Sequence, residues 1–134
     1  MAVKYKIYID KKLVYVKGKG EISFNDLLKH LVTLYDDPKY IAPMKKLVDY
    51  RNATLAKLTT QEANIITNKK AELKDKFVNE RCAFVIKEDV DFGMSRVHGV
   101  YIEPSKIVAE VFRDINKALS WLEVDLDEEQ LDLE

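Results

Sequence analysis

The feature that most constrains the fold is a repeated passage from a short apolar strand into a capped helix. The clearest case runs from Val108 to Leu122. Its apolar stretch Val108–Phe112 precedes Asp114, a good helix N-cap residue, and apolar positions at helical spacing follow. The same kind of passage occurs three times earlier in the chain. Because alternating strands and helices build α/β proteins, the sequence predicts an α/β fold.

Hydrophobic periodicity predicts the order β-β-α-β-α-β-α-β-α, which begins with an antiparallel hairpin. Capping residues stand before three of the four helices, and the third helix is predicted from an apolar stripe that includes Val90 and Tyr101. The predicted N-caps are Ser23, Thr59 and Asp114. The predicted strands are Lys4–Asp10, Leu13–Lys19, Lys46–Tyr50, Arg81–Ile86 and Val108–Phe112.

The way in which the helices cover the sheet follows from the strand connections. Right-handed crossovers between neighbouring strands place the helices mainly on one face of a mixed sheet. The other face then needs cover, from the first strand or from a second copy of the chain as a homodimer. The residues of the first strand that offer this cover are Val3, Tyr5, Ile7 and Ile9. Lys70 lies within the apolar stripe of the second helix, and we expect its ammonium to reach solvent.

Charge divides the chain into a body and a tail. The 134 residues form one domain, predicted to span residues 1–124. Residues 125–134, the acidic tail, hold six acids and no base, so a net charge of −1 leaves +5 on the body. Such a block is typical of a flexible, solvated segment. Leu126, Leu131 and Leu133 leave open an alternative in which the tail docks on the body or on a partner.

Several functional classes are disfavoured by composition. Cys82 is the one cysteine, which excludes an intramolecular disulfide, and its apolar surroundings indicate a buried side chain. With two distant histidines it gives no zinc-ligand spacing, so we expect neither metal nor cofactor. The body lacks an Arg-rich helix, which argues against nucleic-acid binding. No apolar run approaches the about 18 residues of a membrane span, and no signal peptide is evident, so we expect a cytoplasmic protein.

One polar cluster follows the predicted strand Lys46–Tyr50. Asp49, Arg51 and Asn52 stand at its carboxyl end, where open α/β sheets place ligands. The donors of Arg51 suit a carboxylate or a phosphate. The alternative is an Asp49–Arg51 pair that only orders the loop. Arg113 stands at the equivalent end of the last strand and is a further candidate.

A catalytic set is not evident in the sequence. His30 lies at the margin of an apolar stripe, which is typical of a structural histidine. His98 and Asp91 are two helical turns apart, too far for a direct hydrogen bond. We therefore predict that the protein is not an enzyme and has no catalytic residues.

Four segments carry a family resemblance. They are GEISFNDLLKHL, KLVDYRNATL, CAFVI with DFGMSRV, and VFRDINKALSWL. In order and spacing they are similar to the SpoIIAA-like family of small bacterial α/β proteins, which is related in fold to STAS and Sec14-type domains. The resemblance covers about residues 3–122. It implies a single-domain mixed sheet with helices mainly on one face.

The resemblance also implies a mode of action. STAS-type anti-sigma-factor antagonists switch partners when a hydroxyl at the start of the helix after the central strand is phosphorylated. Thr54, Thr59 and Thr60 are the hydroxyls that could serve here. The Asp-Ser-Ser-Gly type sequence of the antagonists is absent, which argues against this switch.

What the resemblance implies is a non-enzymatic regulatory or protein-interaction module that binds a protein partner or a second copy. The residues that would bind are Asp49, Arg51, Asn52, Thr54 and Arg113. The alternative is a Sec14-like carrier of a lipid or another small apolar ligand, which requires an apolar pocket.

Overall fold

A computed structural model of the protein describes residues 2–73, 77, 80–87, 108–131 and 133. In this part of the chain five strands and three α-helices are present, which confirms the predicted α/β class and mixed sheet. The strands are β1 (Val3–Tyr8), β2 (Leu13–Glu21), β3 (Lys45–Thr54), β4 (Arg81–Val85) and β5 (Val108–Phe112). The helices are α1 (Phe24–Asp36), α2 (Thr60–Glu72) and α3 (Ile115–Trp121). The predicted helix with Val90 and Tyr101 lies outside the described residues.

The strands lie side by side in chain order. β1 pairs antiparallel with β2, as the predicted hairpin requires, and β2 to β5 run parallel. One register row joins Lys17, Asp49, Val85 and Phe112. Because Val85 and Phe112 are the last residues of β4 and β5, this row brings their carboxyl ends level with the middle of β3.

β3 is longer than the sequence predicts. It continues past Tyr50 to Thr54, paired with β2 across a register shift beside Gly18. Arg51 and Asn52 therefore belong to the strand, and the loop predicted for them is wrong. The reason is that β2 also continues and supplies the hydrogen-bonding partners that polar side chains alone do not predict.

α1 and α2 cover one face of the sheet, here called the α1–α2 face. Ser23 and Thr59 cap these helices through capping boxes, as predicted. Among the buried or partly buried apolar residues of β1, Tyr8 packs against the opposite face. Val3, Tyr5 and Ile7 pack on the α1–α2 face, so they do not cover the opposite one. Alternation along β1 places them on the side of the sheet where α1 lies.

The opposite face, here called the α3 face, is covered by α3 and the acidic tail. Its floor consists of fully buried residues from the central strands, namely Leu13, Leu47, Ala83 and Val85. Helices therefore lie on both faces, and the predicted placement mainly on one face does not hold for α3. Leu126, Leu131 and Leu133 pack against this cluster, which is the docked alternative for the tail. The difference from an extended, solvated tail arises because the leucines bury apolar surface on the sheet.

Among the described residues, no helix has both the length and the apolar character needed to cross a membrane.

Candidate functional site

Asp49 is a buried carboxylate in the middle of β3. The residue is 3% exposed. The Tyr15 hydroxyl on β2 donates a hydrogen bond to Asp49 Oδ2 at 3.2 Å, and the backbone N–H of Arg51 donates to Oδ1, also at 3.2 Å. A carboxylate in this position needs strong donors, because burial without them disfavours its charge.

Arg51 supplies those donors from two residues further along the strand. Its Nε donates to Asp49 Oδ1 at 2.9 Å and its Nη2 donates to Oδ2 at 2.8 Å, which makes the pair bidentate. Nη2 also donates to Glu128 Oε2 of the acidic tail at 2.8 Å. The Arg51 side chain is 27% exposed and that of Glu128 is 49% exposed. The network therefore begins in the core at Asp49 and ends at the surface at Glu128.

The ionisation states in this network follow from its hydrogen bonds. Burial alone would raise the pKa of the Asp49 carboxyl, but hydrogen bonds and positive charge from Arg51 hold that pKa below its usual value. Hydrogen bonds to Asp49 and Glu128 raise the pKa of Arg51. Burial, with the negative charge of Asp49, raises the pKa of Tyr15. Asp49 is therefore charged at neutral pH, and Tyr15 remains a neutral donor.

This arrangement is suited to carboxylate recognition. Asp49 fixes the plane and direction of the Arg51 guanidinium, so that Nη2 meets a second carboxylate near the surface. A fixed guanidinium loses little conformational freedom when a further carboxylate binds. The contacts that the structure shows are intramolecular: Asp49 and Arg51 order each other, and the third group is Glu128 of the same chain.

The other predicted binding residues lie apart from this network. Asn52 is exposed on β3. Thr54 ends β3, and its Oγ1 accepts a hydrogen bond from the backbone N–H of Ala56 at 3.1 Å. Arg113 is exposed directly after β5 and is separated from β3 by β4.

The candidate phosphorylation residues Thr59 and Thr60 lie at the start of α2. Thr59 Oγ1 accepts a hydrogen bond from the backbone N–H of Glu62 at 3.0 Å, and Glu62 Oε1 accepts one from the backbone N–H of Thr59. A phosphate on Thr59 would be attached to the oxygen that now caps the helix. Thr60 is the first residue of the helix and is exposed.

The sequence analysis missed a second polar cluster, which is buried on the α1–α2 face. Glu80, just before β4, lies 2.8 Å from Lys70 Nζ on α2 and 3.3 Å from Lys46 Nζ on β3. The Tyr40 hydroxyl also donates to Glu80 Oε2, and Cys82 Sγ lies 3.7 Å from Oε1. Each of these five residues is at most 2% exposed. The cluster thus ties α2, β3 and β4 together inside the core.

Lys70 does not reach solvent, so the prediction of an exposed ammonium is wrong. Its side chain is 1% exposed because Glu80 offers a charged partner within the core. Lys46 alternates with Val48 and Tyr50, which pack on the same face. The position of each lysine in an apolar pattern was therefore the available signal. What the sequence alone does not show is that the Glu80 carboxylate contacts both lysines.

Charge coupling within this cluster sets its pKa values. Burial would raise the pKa of Glu80, but Lys46 and Lys70 lower it to about 2. Burial and the neighbouring Lys46 charge lower the pKa of Lys70 to about 8, against the attraction of Glu80. For Lys46 the attraction of Glu80 outweighs burial and raises the pKa. Burial, with Glu80 nearby, raises the pKa of Cys82 to about 12, so its thiol is an unreactive core group.

In the part of the chain that the structure describes, no group of three or more His, Cys, Asp or Glu side chains is arranged to hold a metal ion. No known family model matches this chain, and no curated protein matches its sequence.

Proposed function

We propose that the protein is a non-enzymatic regulatory module that binds another protein, similar in kind to the SpoIIAA-like and STAS-type proteins that its sequence resembles. The observation that carries this proposal is the guanidinium of Arg51. It is held rigidly by a buried carboxylate and contacts a second carboxylate at the surface. A guanidinium that is held in place beside an apolar face, with one N–H directed at a surface carboxylate, is a recognition element for an acidic protein segment.

The arrangement of the sheet is compatible with this resemblance. A β1–β2 hairpin is followed by parallel strands, and α2 begins after the strand that carries Asp49 and Arg51. In STAS-type antagonists the start of the helix after the central strand carries the hydroxyl whose phosphorylation controls partner binding. Phosphorylation of Thr54, Thr59 or Thr60 is not required for the proposal, because Arg51 already offers a charged contact.

Native mass spectrometry of the protein purified from its own host tests the proposal. We expect a co-purifying protein at defined stoichiometry, lost in Arg51→Ala and weakened in Arg51→Lys, which keeps the charge but lacks the bidentate fork. Lys39→Ala, an exposed change between α1 and β3, is the matched control and retains the partner. Thermal unfolding of each variant separates lost binding from lost folding. A chain that carries only a small molecule would contradict the proposal and favour the apolar carrier.

A further inference from the structure

The acidic tail is attached to the α3 face at several points. Leu126, Leu131 and Leu133 pack against the apolar cluster without being fully buried. Glu128 accepts a hydrogen bond from Arg51 Nη2, and its backbone N–H donates to Asn116 Oδ1 on α3 at 3.1 Å. The tail therefore presents a pattern of spaced leucines and one anchoring carboxylate.

The tail residues that make these contacts are more exposed to solvent than the sheet residues beneath them. Leu13, Leu47 and Val85 in the sheet are fully buried, whereas Glu128 is half exposed. Ion pairs at such exposure contribute little, since water competes for both groups. The sheet residues of the α3 face are thus fully buried, whereas the tail that covers them is partly exposed.

Charge also favours an acidic segment on the α3 face. The tail carries six acids, and the body that it covers has a net charge of +5. Opposite charge on the two parts directs an acidic segment to the body, while the leucines determine where it packs.

We propose that the α3 face together with Arg51 is a docking surface for a leucine-containing acidic segment of a partner protein, and that the chain's own tail occupies this surface as an intramolecular competitor. This inference rests on the proposed function and names the chemistry of the partner segment. The partner's carboxylate takes the place of Glu128 on Arg51 Nη2, and its leucines replace those of the tail. Only molecules whose tail has left the surface bind the partner. The apparent affinity is therefore the affinity of the open molecules multiplied by the fraction of molecules that are open.

The test uses the full chain and a fluorescent peptide with the sequence of residues 125–134, DLDEEQLDLE, in an anisotropy titration. We expect weak binding to the unmodified chain. Glu128→Gln combined with Leu131→Ala weakens the intramolecular contact and should tighten peptide binding about tenfold, since more molecules are open. Glu129→Gln is the matched control, because Glu129 is exposed and the change also removes one tail charge.

Changes to the receiving surface should act in the opposite direction. Arg51→Ala, introduced into the Glu128→Gln, Leu131→Ala chain, should abolish the gain, and Arg51→Lys should retain part of it. Circular dichroism and the unfolding midpoint of each variant establish that the fold is intact. Binding to no variant, or equal binding by the unmodified chain and the tail variant, would overturn the inference.

A second readout separates this inference from the proposed function. Partner capture is compared between the unmodified chain and the Glu128→Gln, Leu131→Ala chain. Equal capture of a partner by both would refute the tail's role and leave the interaction module standing. Peptide exchange without any partner would contradict the proposed function and leave the docking surface standing.

Discussion

The Glu80 carboxylate, just before β4, contacts two buried ammonium groups. They belong to Lys46 on β3 and Lys70 on α2. Removing one member of a buried charged set costs more than the set contributes as a whole, because the remaining charges lose their compensation. At the scale of residues, the stability of the α1–α2 face therefore depends on a polar contact as well as on apolar packing.

Glu80→Gln should lower the free energy of unfolding by about 3–5 kcal/mol, since Lys46 and Lys70 lose the negative charge that both contact. Urea denaturation measures the loss. Glu110→Gln, an exposed change on β5, is the control and should stay within about 0.5 kcal/mol of the unmodified protein. A similar small effect of both changes would show that the buried contacts with Glu80 are not important for stability.

His30 should make the protein sensitive to mild acid. Burial and the charges of Lys46 and Lys70 lower its pKa to about 3, while Glu80 acts in the opposite direction. In the unfolded chain a histidine takes up a proton near pH 6.5, and the folded protein does not. The unfolded state therefore binds more protons below pH 6.5, and stability falls as the pH decreases.

Between pH 7.5 and pH 5, this effect should cost about 2 kcal/mol in the unmodified protein. His30→Gln should lack that part of the pH dependence, whatever its stability at neutral pH. Urea denaturation at both pH values gives the comparison, and His98 is common to both chains. Identical pH dependence in the two proteins would mean that His30 is protonated in the fold.

Among the described elements, β3 is the one whose length the sequence predicted least well, because its second half depends on pairing with β2. Apolar alternation located the start of β3, but Arg51 and Asn52 looked like a loop because they are polar. In the structure they extend the strand, since one row of backbone hydrogen bonds does not depend on side-chain polarity. Asp49 and Arg51 were found by their residue types, whereas Glu128, the second partner of Arg51, was not, because Glu128 lies 77 positions after Arg51 in the chain.

Gly18 is the position where β2 and β3 tolerate no added volume. A Cβ there would lie 2.6 Å from Tyr50 Cδ1 and 2.7 Å from Ile22 Cδ1, and both of those residues are buried. Gly18→Ala should therefore destabilise the protein by about 1–3 kcal/mol. Thermal unfolding measures the effect, with Lys17→Ala, a change at the exposed neighbouring position of β2, as control. An unchanged midpoint in Gly18→Ala would show that the Tyr50 ring can move aside.

For the whole molecule, the notable arrangement is a sheet covered on both sides within the described residues. α1 and α2 cover one face, and α3 with the acidic tail covers the other. The tail thus contributes to the fold although its composition is that of a solvated segment. Its leucines also give it a defined position for the exchange proposed above.

A chain ending at Val124 should lose about 2 kcal/mol of stability, because Leu126, Leu131 and Leu133 no longer bury apolar surface on the α3 face. Chemical denaturation of the shortened and full chains measures the difference. Glu129→Gln in the full chain is the control and should have no effect. A shortened chain with the original midpoint would show that the tail is a solvated appendage.

The order of the described elements, the hairpin, the helix caps and the mixed character of the sheet can all be predicted from the sequence. Those features follow from periodicity and capping, which act over a few neighbouring residues. The burial of Lys70, the extension of β3 through Arg51 and the position of the tail on the α3 face are set by tertiary contacts. Each of these depends on a partner distant in the chain, namely Glu80, β2 or Arg51. A contact of that kind forms when the sheet brings the two parts together, and the residue types near one partner in the sequence do not identify the other.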